Sequence, residues 1–235
     1  MMKKIWKIIA AMTTALMLSA CSSTSGTTAS TSSSSTPSTT EAASEPTTLV
    51  VVYSATGNTM EAAEIIANET GAEIFEIEPE NPYSGEDLNY SDPDSRVSKE
   101  HDDPALRQVA LQAAQPENWE NVDTVYLGYP IWWGIAAWPV SSFVEGVDFN
   151  GKTVYPFCTS ASSGLGSSAE DLQAAANGGD WEEGIRFSSS PNQEEVVEWV
   201  QCNFKNENET AEDVLTKESS AVFGSEFFDR NDRPK

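Results

Sequence analysis

VVVYSATGNTMEAAEIIA, residues 50–67, decides the fold. Val50 to Tyr53 form a run of β-favouring residues without a polar break, as a strand buried on both faces of a parallel sheet does. The run leads straight into Ser54-Ala55-Thr56-Gly57-Asn58-Thr59, and Met60, Ala63, Ile66 and Ala67 then recur at helical spacing. Strand, tight polar turn and helix make the opening of a βα unit. The turn carries three hydroxyls, one glycine and no positive charge. Chain entering a helix this way presents unpaired N–H groups at the positive end of the helix dipole, which suits an anion. Gly57 permits close approach of the main chain, and Ser54, Thr56 and Thr59 add hydroxyl donors. The lysine of a Gly-x4-Gly-Lys-Ser/Thr loop is missing, and so are two of the three glycines of a dinucleotide fingerprint. A single phosphate is what remains; plain helix capping by Thr or Asn is the other use of these residues.

The alternation continues. Strands are expected at Leu49–Tyr53, Glu73–Ile77, Thr124–Tyr129, Thr153–Phe157 and Gly184–Phe187. Helices are expected at Asn58–Thr70, closed by Gly71, and at Ala105–Ala114, Ala137–Glu145, Ser168–Ala176 and Gln193–Phe204. Residues 79–104 are polar, hold Pro79, Pro82, Pro93 and Pro104, and read as a long loop. Five β–α repeats with buried strands specify an α/β fold, a five-stranded parallel sheet with helices on both faces. Ligands of such sheets bind beyond the carboxyl ends of the strands, so function narrows to the loops after the first, third and fourth.

The third-strand loop is Tyr129-Pro130-Ile131-Trp132-Trp133-Gly134, with Trp138 and Pro139 close behind. Paired tryptophans on a loop suit a flat aromatic ligand, although Ile131 and one tryptophan would equally suit the core. The fourth-strand loop, Cys158-Thr159-Ser160-Ala161-Ser162-Ser163-Gly164-Leu165-Gly166, is small and polar and can hydrogen-bond the edge of a heterocycle through its backbone. A phosphate cradle, an aromatic wall and a polar edge on one rim describe a pocket for a mononucleotide with a large planar ring.

The flanks and the charge set the context. Lys3, Lys4 and Lys7 precede an apolar run, Ile8 to Ala20, that is too short to span a bilayer and reads as a signal segment, residues 1–20. Leu18-Ser19-Ala20-Cys21 resembles a bacterial lipobox, which implies lipidation of Cys21; an ordinary secretory signal is the alternative. Of residues 22–47, 18 are Ser or Thr, and a segment so poor in apolar groups cannot offset its ordering entropy. Residues 21–47 are therefore expected to be a flexible tether reaching roughly 25–30 Å, and several acyl chains on Cys21 would anchor it to a membrane. Residues 48–205 carry 27 acidic and 6 basic side chains. That balance argues against nucleic acid as a partner and is compatible with a basic protein steered by long-range attraction; solubility alone is the other use of such acidity. His101 is the sole histidine and no Cys/His cluster has metal-ligand spacing, which speaks against a zinc site or a His-based hydrolase. Cys158 and Cys202 are expected on a strand end and a late helix, and so unpaired. Residues 206–235 are polar and acidic despite Phe223, Phe227 and Phe228, and read as a mobile tail.

Tyr53–Thr59 (Tyr-Ser-x-Thr-Gly-Asn-Thr), Gly128–Gly134 (Gly-Tyr-Pro-Ile-Trp-Trp-Gly) and Pro156–Gly166 (Pro-Phe-Cys-Thr…Ser-Gly-Leu-Gly) are together similar to the flavodoxin family, nearest to bacterial members with a Pro-Ile-Trp-Trp-Gly loop. The resemblance runs from about residue 48 to 203. It implies a flavodoxin-like three-layer sandwich with strand order 2-1-3-4-5, and FMN bound non-covalently in a domain spanning 48–205. Ser54, Ala55, Thr56, Gly57, Asn58 and Thr59 would hold the phosphate, with Pro130, Ile131, Trp132, Trp133 and Gly134 by the flavin ring. Cys158, Thr159, Ser160, Gly164, Leu165 and Gly166 would run along its polar edge. Ala55 stands where many relatives carry a larger, often basic residue. Asp94-Ser95-Arg96-x-Ser98-x-Glu100 looks like a Ser-Arg-x-Ser-x-Glu stretch of close relatives; it is read as a surface loop in preference to a cover over the flavin. The implied function is a monomeric electron carrier outside the cytoplasm, tethered to the membrane and serving a basic redox protein. The alternatives are an FMN-dependent quinone or nitro-compound reductase using NAD(P)H, and a non-redox flavin-binding or interaction lipoprotein. An acidic, aromatic-walled site would give the bound flavin a low potential.

Overall fold

The computed structural model describes residues 47–205. The expected signal segment, Cys21, residues 22–46 of the tether and the 206–235 tail lie outside the described residues. Strands β1 (Thr48–Val52), β2 (Glu73–Glu76), β3 (Thr124–Trp132), β4 (Ile135–Ala136), β5 (Thr153–Ser160), β6 (Asp180–Trp181) and β7 (Ile185–Ser188) alternate with helices α1 (Asn58–Thr70), α2 (Arg96–Asp102), α3 (Trp138–Gly146) and α4 (Ser168–Ala175). A final helix, α5, covers 193–205. The sheet runs β2-β1-β3-β5-β6 with β7 also on β5, all parallel, and β4 folds back antiparallel on the end of β3. With β5 as the fourth strand and β6 plus β7 as a divided fifth, this is the expected order 2-1-3-4-5.

Both faces of the sheet are covered, which is why β1 is apolar without alternation. Val50 and Val52 meet Ala62, Ala63 and Ile66 of α1 and share a cluster with Val196 and Val200 of α5. Val51 points the other way, into a cluster with Val140, Phe143 and Val144 of α3 and Leu172 of α4. Gly71, at φ +72°, closes α1 in the left-handed conformation that glycine adopts freely.

The strands flanking the site outrun their expected ends. β3 reaches Trp132 and β5 reaches Ser160 because the two pair in register through Pro130 and Thr159, drawing the start of each loop into the sheet. The fifth strand breaks between Trp181 and Ile185. The Val154 carbonyl accepts from the Glu182 amide on this side, so Pro156, two residues on, turns its missing N–H toward the break.

Two expectations for residues 79–114 are corrected. No helix forms over Ala105–Ala114; a single 3₁₀ turn, Pro104–Leu106, gives way to extended chain. The Gln112 amide donates to the Glu78 carbonyl and the Glu80 amide to the Ala110 carbonyl, both at 2.8 Å, so tertiary pairing overrides a helix-favouring composition. The helix stands earlier, inside the expected loop: α2 begins where the Ser95 hydroxyl accepts from the Ser98 amide, and ends before Asp103, which Pro104 bars from helical geometry.

Gly128, midway along β3, lies under the Phe157 ring, which a Cβ placed there would meet at 2.2 Å. Overpacking of this kind costs about 1–3 kcal/mol. Gly128→Ala is expected to lower the unfolding free energy by that amount, read as a lower urea midpoint with the slope unchanged.

Candidate functional site

A cavity of about 480 Å³ opens at the carboxyl ends of β1, β3 and β5. Its first wall is the turn entering α1, from which Ala55, Thr56, Asn58 and Thr59 line the space. Gly57 holds φ +91° with open space where a Cβ would stand. The Ser54 hydroxyl accepts from the Met60 amide at 3.1 Å, capping one helical donor. The amides of Thr56, Gly57, Asn58 and Thr59 have no acceptor among the described residues, so several donors converge on one place at the positive end of a 13-residue helix. No Lys or Arg side chain lines the cavity. An anion would be held here by amides, hydroxyls and dipole alone.

The third strand's loop forms the second wall: Pro130, Ile131, Trp132 and Trp133. Trp132 pairs with Ile135 across a two-residue hairpin whose central residues, Trp133 (φ +48°) and Gly134 (φ +85°), are both left-handed, the type I′ pattern. A side chain in that region costs about 1–2 kcal/mol. Stacking offsets it: the Trp133 ring lies 4.5 Å from His101 at 23° and 6.3 Å from Trp138 at 13°. Trp133 stays 43 % exposed. Trp132 turns inward and meets Tyr53, Tyr83 and Trp138 edge-on at 5.2–5.8 Å.

Thr159, Ser160 and Ala161 at the end of β5, with Ser189 just past β7, make the third, polar wall. The buried hydroxyls of Thr59 and Thr159 hydrogen-bond at 2.8 Å and tie this wall to the first. Only one of their two hydrogens is used between them, so the other remains to be donated. Arg186 of β7 holds Ser160 from behind, through Nε to the hydroxyl at 3.1 Å and Nη2 to the carbonyl at 2.6 Å.

The fourth wall corrects the surface-loop reading of residues 80–104. Leu88, Tyr90 and Val97 line the cavity. Their segment is pinned by Glu100, which is 6 % exposed and accepts from Tyr83 Oη at 2.6 Å and Arg96 Nε at 2.8 Å. The Arg96 guanidinium also covers the Tyr83 ring at 3.8 Å and donates to the Asn81 carbonyl at 2.7 Å. Burial, then the bond to Glu100, holds the Tyr83 phenol above its ordinary range, so it stays a donor. Arg107 secures the far end of α2 on the carbonyls of Glu100 and His101.

Of the residues named from sequence, Ala55, Thr56, Asn58, Thr59, Pro130 to Trp133, Thr159 and Ser160 come together around one space. Gly57 and Gly134 shape the two turns, and Ser54 caps α1. Cys158 turns its side chain into the core, and Gly164, Leu165 and Gly166 do not line the cavity; Leu165 packs against the core and accepts from the Ser168 hydroxyl. Ala161, in the fourth-strand loop, lines the cavity too; Leu88, Tyr90, Val97 and Ser189 are lining residues outside the three loops named from sequence. For Val97 the Ser95-x-x-Ser98 cap beside it was a usable sign; for Ser189 there was none.

The flavodoxin family model matches residues 47–203. Two solved structures described as flavoproteins are similar along their whole length. The one from Bacteroides eggerthii is 35% identical, with 67% of this chain and 98% of that chain covered at a TM-score of 0.61. The one from Bacteroides uniformis is also 35% identical, covering 67% and 99% at 0.62. A flavoprotein of Lactobacillus acidophilus, solved in complex with FMN, is 21% identical over 60% of this chain and 93% of that one, at 0.49. No curated protein matches. The chain belongs to the flavodoxin family.

Glu100→Ala leaves Tyr83 and Arg96 without their shared acceptor. It is expected to destabilise the protein by about 1–3 kcal/mol and to speed amide hydrogen exchange over 83–101 more than over α1. Burial pushes the Cys158 thiol up to about 12, whereas Cys202 is exposed. Iodoacetamide at pH 8 should therefore label the native Cys202 peptide and spare the Cys158 peptide until urea is added.

Proposed function

We propose that the cavity binds FMN non-covalently and that the protein is an electron carrier. The observation that carries the reading is the convergence, on one cavity, of a cation-free amide cradle, an exposed tryptophan on a strained hairpin and a polar rim. Thr56, Asn58, Thr59 and the free amides of their turn would hold the phosphate. Trp132 and Trp133 would wall the ring, with Thr159 and Ser160 along its polar edge. FMN supplies the redox chemistry when bound. The chain's own residues bind and orient it and keep water from the buried side, where the aromatic wall and Val97 stand.

The charge balance of residues 48–205 supports a basic redox protein as partner, approached under electrostatic steering. The lipobox-like Leu18–Cys21 and the Ser/Thr-rich stretch after it support a protein tethered outside the cytoplasmic membrane through Cys21. The acidic surface and low-dielectric walls oppose negative charge in the cavity, which favours a low potential.

The test is a visible absorption spectrum of the purified protein after incubation with FMN and desalting. A retained flavin band is expected. Thr56→Ala should weaken FMN affinity about 10- to 100-fold, the value of a hydrogen bond to a charged group. Trp133→Ala should weaken it without unfolding the protein, since that ring is partly exposed. A protein that stays colourless and does not quench FMN fluorescence would overturn the proposal.

A further inference from the structure

Residues 47–205 hold six Lys and Arg side chains. Four of them spend their donors on structure: Arg96 on Glu100 and Asn81, Lys99 on Asp94, Arg107 on the carbonyls of Glu100 and His101, and Lys152 on those of Trp119 and Val122. Arg186 differs. It is half-buried on β7, and both its hydrogen bonds end on Ser160, a residue that lines the cavity. Ser160 in turn donates to the Ser163 carbonyl, so the fork of Arg186 also sets the course of the loop that follows. In a region with 27 acidic side chains, no carboxylate lies within ion-pair distance of this guanidinium among the described residues. An uncompensated cation thus stands one residue behind the polar wall of the cavity.

We propose that Arg186 raises the reduction potential of the flavin, offsetting in part the field of the surrounding carboxylates; this rests on the FMN reading above. Two electrons from a donor and one proton from solvent would take the ring from neutral to one negative charge. A fixed cation behind the Thr159–Ser160 edge favours that charged form over the oxidised one, and being half-buried it is screened less than a surface charge. By linkage, the ratio of affinities for the two forms is the shift in the reduction equilibrium. Arg186 acts on the flavin through its field, from its place behind Ser160.

The experiment compares the wild type with Arg186→Gln and Arg186→Lys in two readouts. One is the dissociation constant of oxidised FMN by fluorescence quenching. The other is the reduction midpoint of the complex, in a dithionite titration against a reference dye. Arg186→Gln is expected to lower the two-electron reduction equilibrium about tenfold, about 30 mV, with the affinity for oxidised FMN held within about threefold. Arg186→Lys, which keeps the charge and loses the fork, should restore at least half of that shift. A midpoint unmoved by Arg186→Gln would overturn the inference while leaving FMN binding intact. So would a lysine variant that falls as far as the glutamine one, because the effect would then be loop geometry. A wild-type protein that retains no FMN would overturn both readings together.

Discussion

Strand β1 must be buried on both faces, between β2 and β3 in the sheet and between two helical layers, and this constraint places the rest of the site. A strand so enclosed can release its chain only at the carboxyl edge, where the turn to α1 has to reverse direction within a few residues. Gly57 makes the reversal possible and leaves the first amides of α1 facing outward with no partner among the described residues. The Thr59–Thr159 hydroxyl pair then fastens this turn to the end of β5, so cradle and polar wall hold a fixed separation. Donors are costly to leave unpaired, and a site already organised around them loses little on receiving an anion.

The other two walls support each other. Trp133 occupies a backbone conformation that a tryptophan does not choose, and it is held there by stacking on His101 of α2 and on Trp138 of α3. The position of α2 depends on the Glu100 cluster, whose Tyr83 also packs edge-on against Trp132. The insert and the tryptophan hairpin thus form one packed unit across 50 residues of chain. Displacing either would free Trp133 to relax, and so the shape of the aromatic wall is a property of both segments.

Where local signals agreed, the fold was legible. At residues 48–71 the apolar run, the turn chemistry, the helical spacing and the terminal glycine all point one way, and α1 has its expected limits. The strand order followed from the family resemblance and from the alternation of elements. What was not legible depended on contacts distant in sequence. Ala105–Ala114 has a helix former's composition, and only its pairing with residues 78–80 explains its extended path. The fourth wall was hidden because Leu88 and Val97 become lining residues only once the Tyr83–Glu100–Arg96 cluster folds the insert over the sheet. Cys158 was misplaced for a simpler reason. β5 runs on to Ser160, and the alternation of its side chains turns Cys158 into the core while Thr159 faces the cavity.

In the function proposed above, the turn into α1 recognises a phosphate without a cation, although the acidic excess of residues 48–205 repels phosphate. The most direct measurement is the affinity for FMN and for riboflavin, which lacks the phosphate, at low and at high salt. FMN is expected to bind at least tenfold tighter, with an affinity that holds or rises with salt as the repulsion is screened. Equal affinities for the two flavins, or FMN binding that falls steeply with salt, would contradict it.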